Sequence, residues 1–210
     1  VNPSNQIVKD IEWIKECQKT WKQSDGIPKM HYAQQDEEKK PGAHSKTIRI
    51  KEFLDFYNQV QELDLDIMLE VKDKNLSAIK CNNCITKKKI KELEQEWSLY
   101  KYKVLEKSQK DYNDIRQLLK DKNKSPAIEF YCLIESAMNK TNTENEINAL
   151  LHVWGYFKNI ANTKEKEYFK NKLTKRKENQ ITTEQLKRYL WKLSIQYQIK
   201  YLMQSYYFYL

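Results

Sequence analysis

The stretch Asp64-Leu65-Asp66-Ile67-Met68-Leu69-Glu70-Val71-Lys72, DLDIMLEVK, alternates without a break. Leu65, Ile67, Leu69 and Val71 fall on one side of an extended chain, and Asp66, Met68, Glu70 and Lys72 on the other. It reads as a strand with one apolar face and one face able to carry chemistry. Upstream, the turn Ser24-Asp25-Gly26 leads into a second short strand, Ile27-Pro28-Lys29-Met30-His31-Tyr32. Between the two, Ile50, Phe53, Leu54, Tyr57 and Val60 lay an apolar stripe on a helix. A helix from Ile7 to about Trp21, with Ile7, Ile11, Ile14 and Cys17 at helical spacing, precedes the first strand, and another from about Lys74 to Asn82 follows the second. Strands alternating with helices imply parallel strands joined by right-handed crossovers. Two strands do not make a stable sheet by themselves, so this segment reads as the end of a larger α/β domain. The chain begins Val1-Asn2-Pro3-Ser4 with no initiating methionine, which fits the later part of a longer protein.

After residue 83 the pattern becomes purely helical. Lys87 to about Lys122 is charged, with Trp97, Tyr100, Tyr102, Leu105, Tyr112, Ile115 and Leu118 as anchors. Ser125-Pro126 opens a further helix. Thr143-Glu144-Asn145-Glu146 fits a capping box ahead of the apolar run INALLHVWGYF, and Thr182-Thr183-Glu184-Gln185 caps a helix over 184–199. The fold expected is mainly α with an α/β portion. The organisation expected is an α/β part over 1–83, a charged helical connector over 84–124 and an all-helical domain over 125–210.

The net charge is +9 and only three of the 210 residues are glycine. Few glycines favour helices over sheet, which needs them for tight turns and bulges. The positive surplus favours a polyanionic partner through counterion release. No apolar run approaches the roughly 18 residues needed to cross a bilayer, and no secretory signal is visible. Cys17, Cys81, Cys84 and Cys132 show no disulfide-scaffold spacing, so a reducing cytoplasm is expected. Cys81-Asn82-Asn83-Cys84 is a lone C-x-x-C, and reads as two helix-end thiols rather than a zinc or redox motif.

Two of the three histidines sit close together. Lys29 and His31 share one side of the first strand, the loop Pro41-Gly42-Ala43-His44 delivers His44, and the second strand delivers Glu70 near its C-terminal end. The C-terminal strand ends of α/β barrels, with their loops, are where active sites form. Two imidazoles and a carboxylate are ordinary ligands for zinc or manganese. Lys29 joins such a group if it is neutral or carried as an anionic carbamate. Isolated polar residues around a loop are the plainer reading of the same spacing.

The residues DGIPKMHYAQQDEEKKPGAHSKTIRIKEF and DLDIMLEVKDKNLSAIK closely resemble the UV damage endonuclease family, through its K-x-H strand, P-G-A-H loop and D-x-M-L-E-x-K-x-K strand. The resemblance covers about residues 7–82. It implies the last βα units of a TIM-type (β/α)8 barrel. The activity it implies is metal-dependent incision of damaged double-stranded DNA on the 5′ side of a UV photoproduct, without ATP, in excision repair. By the same resemblance His31, His44 and Glu70 are metal ligands, Lys29 is a carboxylated lysine at the metal, and Lys72 lies near the DNA phosphate. The implied cofactor is manganese, with zinc or magnesium as alternatives. The family's other ligands lie on earlier strands, so this chain is expected to be inactive alone and to need the N-terminal part of the barrel. Residues 145–210, with HVWGYFK and YLMQSYYF, resemble a small helical domain of unknown function. A helical DNA- or protein-binding module without catalysis is the alternative to the enzyme.

The basic runs Lys87-Lys88-Lys89 and Lys172 to Lys177 can contact phosphates, and Trp154 and Trp191 can stack on bases. Solvated faces and core packing are the commoner roles for both. His152, on an apolar helix, reads as a packed residue with a satisfied hydrogen bond.

Overall fold

The computed structural model describes residues 10–210, so the expected start of the first helix at Ile7 lies outside the described residues. The chain divides into two compact units at Lys87/Lys88.

In the first unit, helix α1 spans Asp10–Gln18, and a single 3-10 turn at Gln23–Asp25 leads to strand β1, Lys29–Tyr32. Helix α2 covers Ile50–Val60, strand β2 Asp66–Leu69 and helix α3 Asn75–Ile85. The strands pair in parallel, with Lys29 opposite Asp66, Met30 opposite Ile67, His31 opposite Met68 and Tyr32 opposite Leu69. The alternation read from the sequence holds in both. Lys29, His31, Asp66 and Met68 are exposed, while Met30, Tyr32, Ile67 and Leu69 are half-buried. Among the described residues the sheet has these two strands, of the eight that a closed TIM-type barrel needs.

Helix α2 is held to β1 by aromatic packing. Tyr32 meets Phe53 edge-on at 5.5 Å and Phe56 at 4.7 Å between ring centres. The buried stripe of α2 is Ile50, Phe53, Phe56 and Val60. It is rotated from the expected one, because Phe56 fills the space beneath Tyr32 while Leu54 and Tyr57 stay half-buried. Helix α3 is tied to the entry of α2 by buried polar contacts. Ser77 Oγ accepts from the Ile48 N–H at 2.9 Å and donates to Asp73 Oδ2 at 2.9 Å, and Lys80 Nζ reaches Thr47 Oγ1 at 3.0 Å. A cleft of about 450 Å³ lies between β2 and α3, lined by Ile67, Leu69, Val71 and Cys81 among others. It is on the apolar side of the strand, away from His31. Cys81 and Cys84 are buried within α3.

The second unit is all helical. Helices α4, Ile90–Lys107, and α5, Gln109–Leu118, replace the single charged helix expected here. The break is at Ser108, whose backbone is extended and whose Oγ accepts from the Asp111 N–H to cap α5. Helices α6, Ala127–Met138; α7, Thr143–Trp154; α8, Thr163–Lys177; and α9, Thr183–Gln196, follow. A short α10, Lys200–Met203, and a 3-10 turn at Tyr206–Phe208 end the chain. The stretch expected as a connector does not stand apart, because α4 packs against α6, α7 and the C-terminal turn. Its Tyr102 and Leu105 enter one core with Leu150, Val153, Phe157, Leu190 and Tyr207.

The cap of α7 lies one residue before the expected one. Asn142 accepts from the Asn145 N–H, and Glu146 turns instead to Arg176, 2.8 Å away, and to Thr183. A second buried charge cluster joins α4 to α9. Glu106 is 2.9 Å from Lys103 and 3.1 Å from Lys187, all three being almost fully enclosed. No helix among the described residues is long and apolar enough to cross a membrane.

Candidate active site

The site is built where both parallel strands end. The Glu70 N–H donates to the Tyr32 carbonyl at 2.8 Å, extending the ladder one step and bringing Glu70 level with the end of β1. His31 projects from the exposed face of β1. Its Nδ1 lies 2.5 Å from Glu70 Oε1.

His44 reaches the same carboxylate from the loop. The loop with the Pro41-Gly42 turn folds on itself, with Gln35 and His44 forming an antiparallel bridge. Asp36 N–H donates to the Ala43 carbonyl and Ser45 N–H to the Gln34 carbonyl, both at 2.8 Å. Gly42 turns the chain with φ of 86°, a conformation that costs an L-residue steric energy. The buried Gln34 side chain fastens the loop to α2, accepting from the Arg49 N–H at 2.6 Å and donating to the Arg49 carbonyl at 3.1 Å. His44 Nε2 thereby lies 3.3 Å from Glu70 Oε2. Each carboxylate oxygen faces one imidazole nitrogen.

Of the sequence-predicted residues, then, the structure brings together His31, His44 and Glu70. Lys29 is exposed two residues before His31 on the same face, opposite Asp66 in register, and no recorded contact joins it to the other three. Lys72 stands with a different partner. Its Nζ is 3.9 Å from Asp36 Oδ2, which also lies 3.4 Å from Lys39 Nζ. Asp36 was not singled out from the sequence, because in QQDEEKK nothing separates it from Glu37 and Glu38. It is buried where they are exposed, and its Oδ2 has no hydrogen-bond donor among the described residues. Burial pushes the Asp36 carboxyl up, but the Glu38 N–H, Lys39 and Lys72 more than offset this and hold it below the usual range. Contact with the Lys39 ammonium, with some desolvation, lowers Lys72.

Two imidazoles and a carboxylate are the donor chemistry of zinc and manganese sites. Ligand atoms about 2.1 Å from an octahedral cation lie about 3 Å from one another, and the His44–Glu70 separation fits that spacing. The closer His31–Glu70 contact is a direct one. Among the described residues no group of three or more His, Cys, Asp or Glu side chains is placed so that it could hold a metal ion. The trio offers that donor chemistry, but as placed here its three side chains do not by themselves hold a metal ion.

Residues 2–103 match the family described as UV-endonuclease UvdE, and residues 101–210 match a family described as protein of unknown function, DUF1722. A UV DNA damage endonuclease of Clostridium perfringens is 37% identical over 177 residues, 75% of this chain and 41% of that protein. A protein named "Putative UV-damage endonuclease", from Acanthamoeba polyphaga mimivirus, is 40% identical over 77 residues, 36% of this chain and 23% of that protein. The chain thus spans less than half the length of either relative. No solved structure matches it significantly.

Proposed function

The chain belongs through residues 101–210 to the DUF1722 family and through residues 2–103 is related to the UV endonucleases, and from that premise we propose that its first unit is the closing portion of a metal-dependent UV DNA damage endonuclease. The reaction is incision of duplex DNA 5′ to a UV photoproduct. The observation that supports this reading most is the approach of His31 and His44 to the two oxygens of Glu70 at the ends of both strands.

His31, His44 and Glu70 would hold a divalent cation, manganese in preference to zinc or magnesium. Such a cation supplies a deprotonated water and stabilises the leaving oxygen of a phosphodiester. Lys29, on the same strand face as His31, would add an anionic oxygen as a carbamate. Lys72 contacts a phosphate, and Asp36 positions it by fixing its ammonium beside that of Lys39. Two strands give no closed barrel, so the proposed reaction needs further strands from the N-terminal part of such an enzyme, and this chain alone does not incise.

The test is a chimera in which this chain replaces the matching portion of the Clostridium perfringens protein, assayed on a duplex with one photoproduct and manganese. The expected result is a nick 5′ to the lesion, reduced at least a hundredfold by His44→Ala or Glu70→Gln. A chimera that incises equally well with both substitutions would sink the ligand assignment.

A further inference from the structure

A groove of about 320 Å³ runs between α7 and α8 in the helical unit. Its floor is Leu151, Trp154, Phe169 and Leu173, and its rim carries Lys158, Lys166 and Lys170. Trp154 lies flat on the buried Phe169, with ring centres 4.1 Å apart and planes 8° from parallel. Leu151 is 43% exposed, a large apolar side chain left facing solvent.

The three rim lysines are exposed, and none has a recorded ion pair among the described residues. The charge of the whole chain is also unevenly placed. Residues 1–87 carry 14 Lys and Arg against 14 Asp and Glu, while residues 88–210 carry 24 against 15. The entire surplus of +9 therefore belongs to the unit that holds this groove.

We propose that the α7–α8 groove binds single-stranded nucleic acid, seating a nucleobase against Trp154 and Leu151 with the flanking phosphates on Lys158, Lys166 and Lys170. An apolar aromatic floor inside a cationic rim matches the two parts of a nucleotide, since any base offers a π-face and the backbone a run of negative charge. The Phe169–Trp154 pair is already a two-ring stack, and a base extends it. An acidic amphipathic helix is the competing occupant. It needs a groove taking apolar anchors over two turns, whereas this floor is one ring stack with a single leucine on each flank. The proposal concerns a site in the second unit and does not rest on the endonuclease reading.

The experiment is fluorescence anisotropy of a labelled twelve-residue oligothymidylate titrated with the full chain over a salt series. Wild type is expected to bind with affinity that falls steeply with salt. The variant Lys158→Gln/Lys166→Gln/Lys170→Gln should bind at least tenfold more weakly, with the salt slope reduced by about 2, at roughly 0.7 per phosphate contact. The control Lys120→Gln/Lys192→Gln/Lys200→Gln removes equal charge away from the groove and should stay within about threefold of wild type. Trp154→Leu should weaken binding about fivefold or more and keep the slope, as loss of one stacked base does. If Trp154→Leu fails to fold by circular dichroism, the lysine comparison decides, because those side chains are exposed. Absence of binding, equal loss in both triple variants, or binding of a glutamate-rich amphipathic peptide in place of the oligonucleotide would overturn the proposal.

Discussion

His31 Nδ1 and Glu70 Oε1 meet at 2.5 Å across 39 residues of chain. The parallel register causes this, since the Glu70 N–H is already fixed to the carbonyl of Tyr32, the neighbour of His31. His44 arrives at the same carboxylate on a folded loop. The two histidines therefore depend on different supports, and substitutions can separate them.

Gln34→Ala tests the loop. It removes the acceptor of the part-buried Arg49 N–H and the donor to the Arg49 carbonyl. A lost buried hydrogen-bond partner costs about 1–3 kcal/mol. Urea unfolding should show a loss of that size, and nuclear magnetic resonance should show the His44 ring signals moving more than those of His31.

Ser77→Ala tests the seat of α3. Ser77 Oγ is the partner of the Ile48 N–H, and both residues are fully enclosed. The alanine variant should lose about 1–3 kcal/mol in chemical denaturation. Ser77→Thr, which keeps the hydroxyl, should lose less.

Asp36→Asn should act through pH. The carboxyl titrates below the ordinary aspartate value in the folded chain, so its stabilisation is complete above about pH 4 and disappears as the pH falls through the lower folded value. The variant should show a lower urea midpoint than wild type at pH 7. The two midpoints should converge in strong acid. A constant gap across that range would contradict the assigned role of the charge.

Glu106→Ala should be among the most damaging changes in the helical unit. Glu106 lies between the buried ammonium groups of Lys103 and Lys187. Removing one member of a buried ion cluster leaves uncompensated charge, at a cost of about 3–5 kcal/mol. Thermal unfolding should show it, and Glu106→Gln, which keeps the shape and one acceptor, should recover part of the loss.

The strands were legible because alternation is a local signal, whereas the meeting of His31 and His44 at Glu70 rests on strand register and a folded loop. Alternation in KMHY and DIML survives folding unchanged, and a histidine on a strand face points where its neighbours at i±2 point. What stayed hidden depends on contacts distant in sequence. Ser108 looks like any other polar residue in a charged helix until its hydroxyl caps α5. Glu146 completes a plausible capping box with Thr143, yet the guanidinium of Arg176, thirty residues on, takes its carboxylate instead. Asp36 is one of three consecutive acids, and only the folded loop buries it. The groove beside Trp154 needs Phe169 beneath the ring, a pairing of two helices that no single periodicity reveals.

The most direct test of the endonuclease account is a manganese titration of the chimera with the Clostridium perfringens protein, followed by electron paramagnetic resonance, with His44→Ala and Glu70→Gln alongside. The account predicts saturable binding by the unsubstituted chimera that weakens at least tenfold in each variant. Binding that is the same in all three chimeras, or absent from the unsubstituted one, would contradict it.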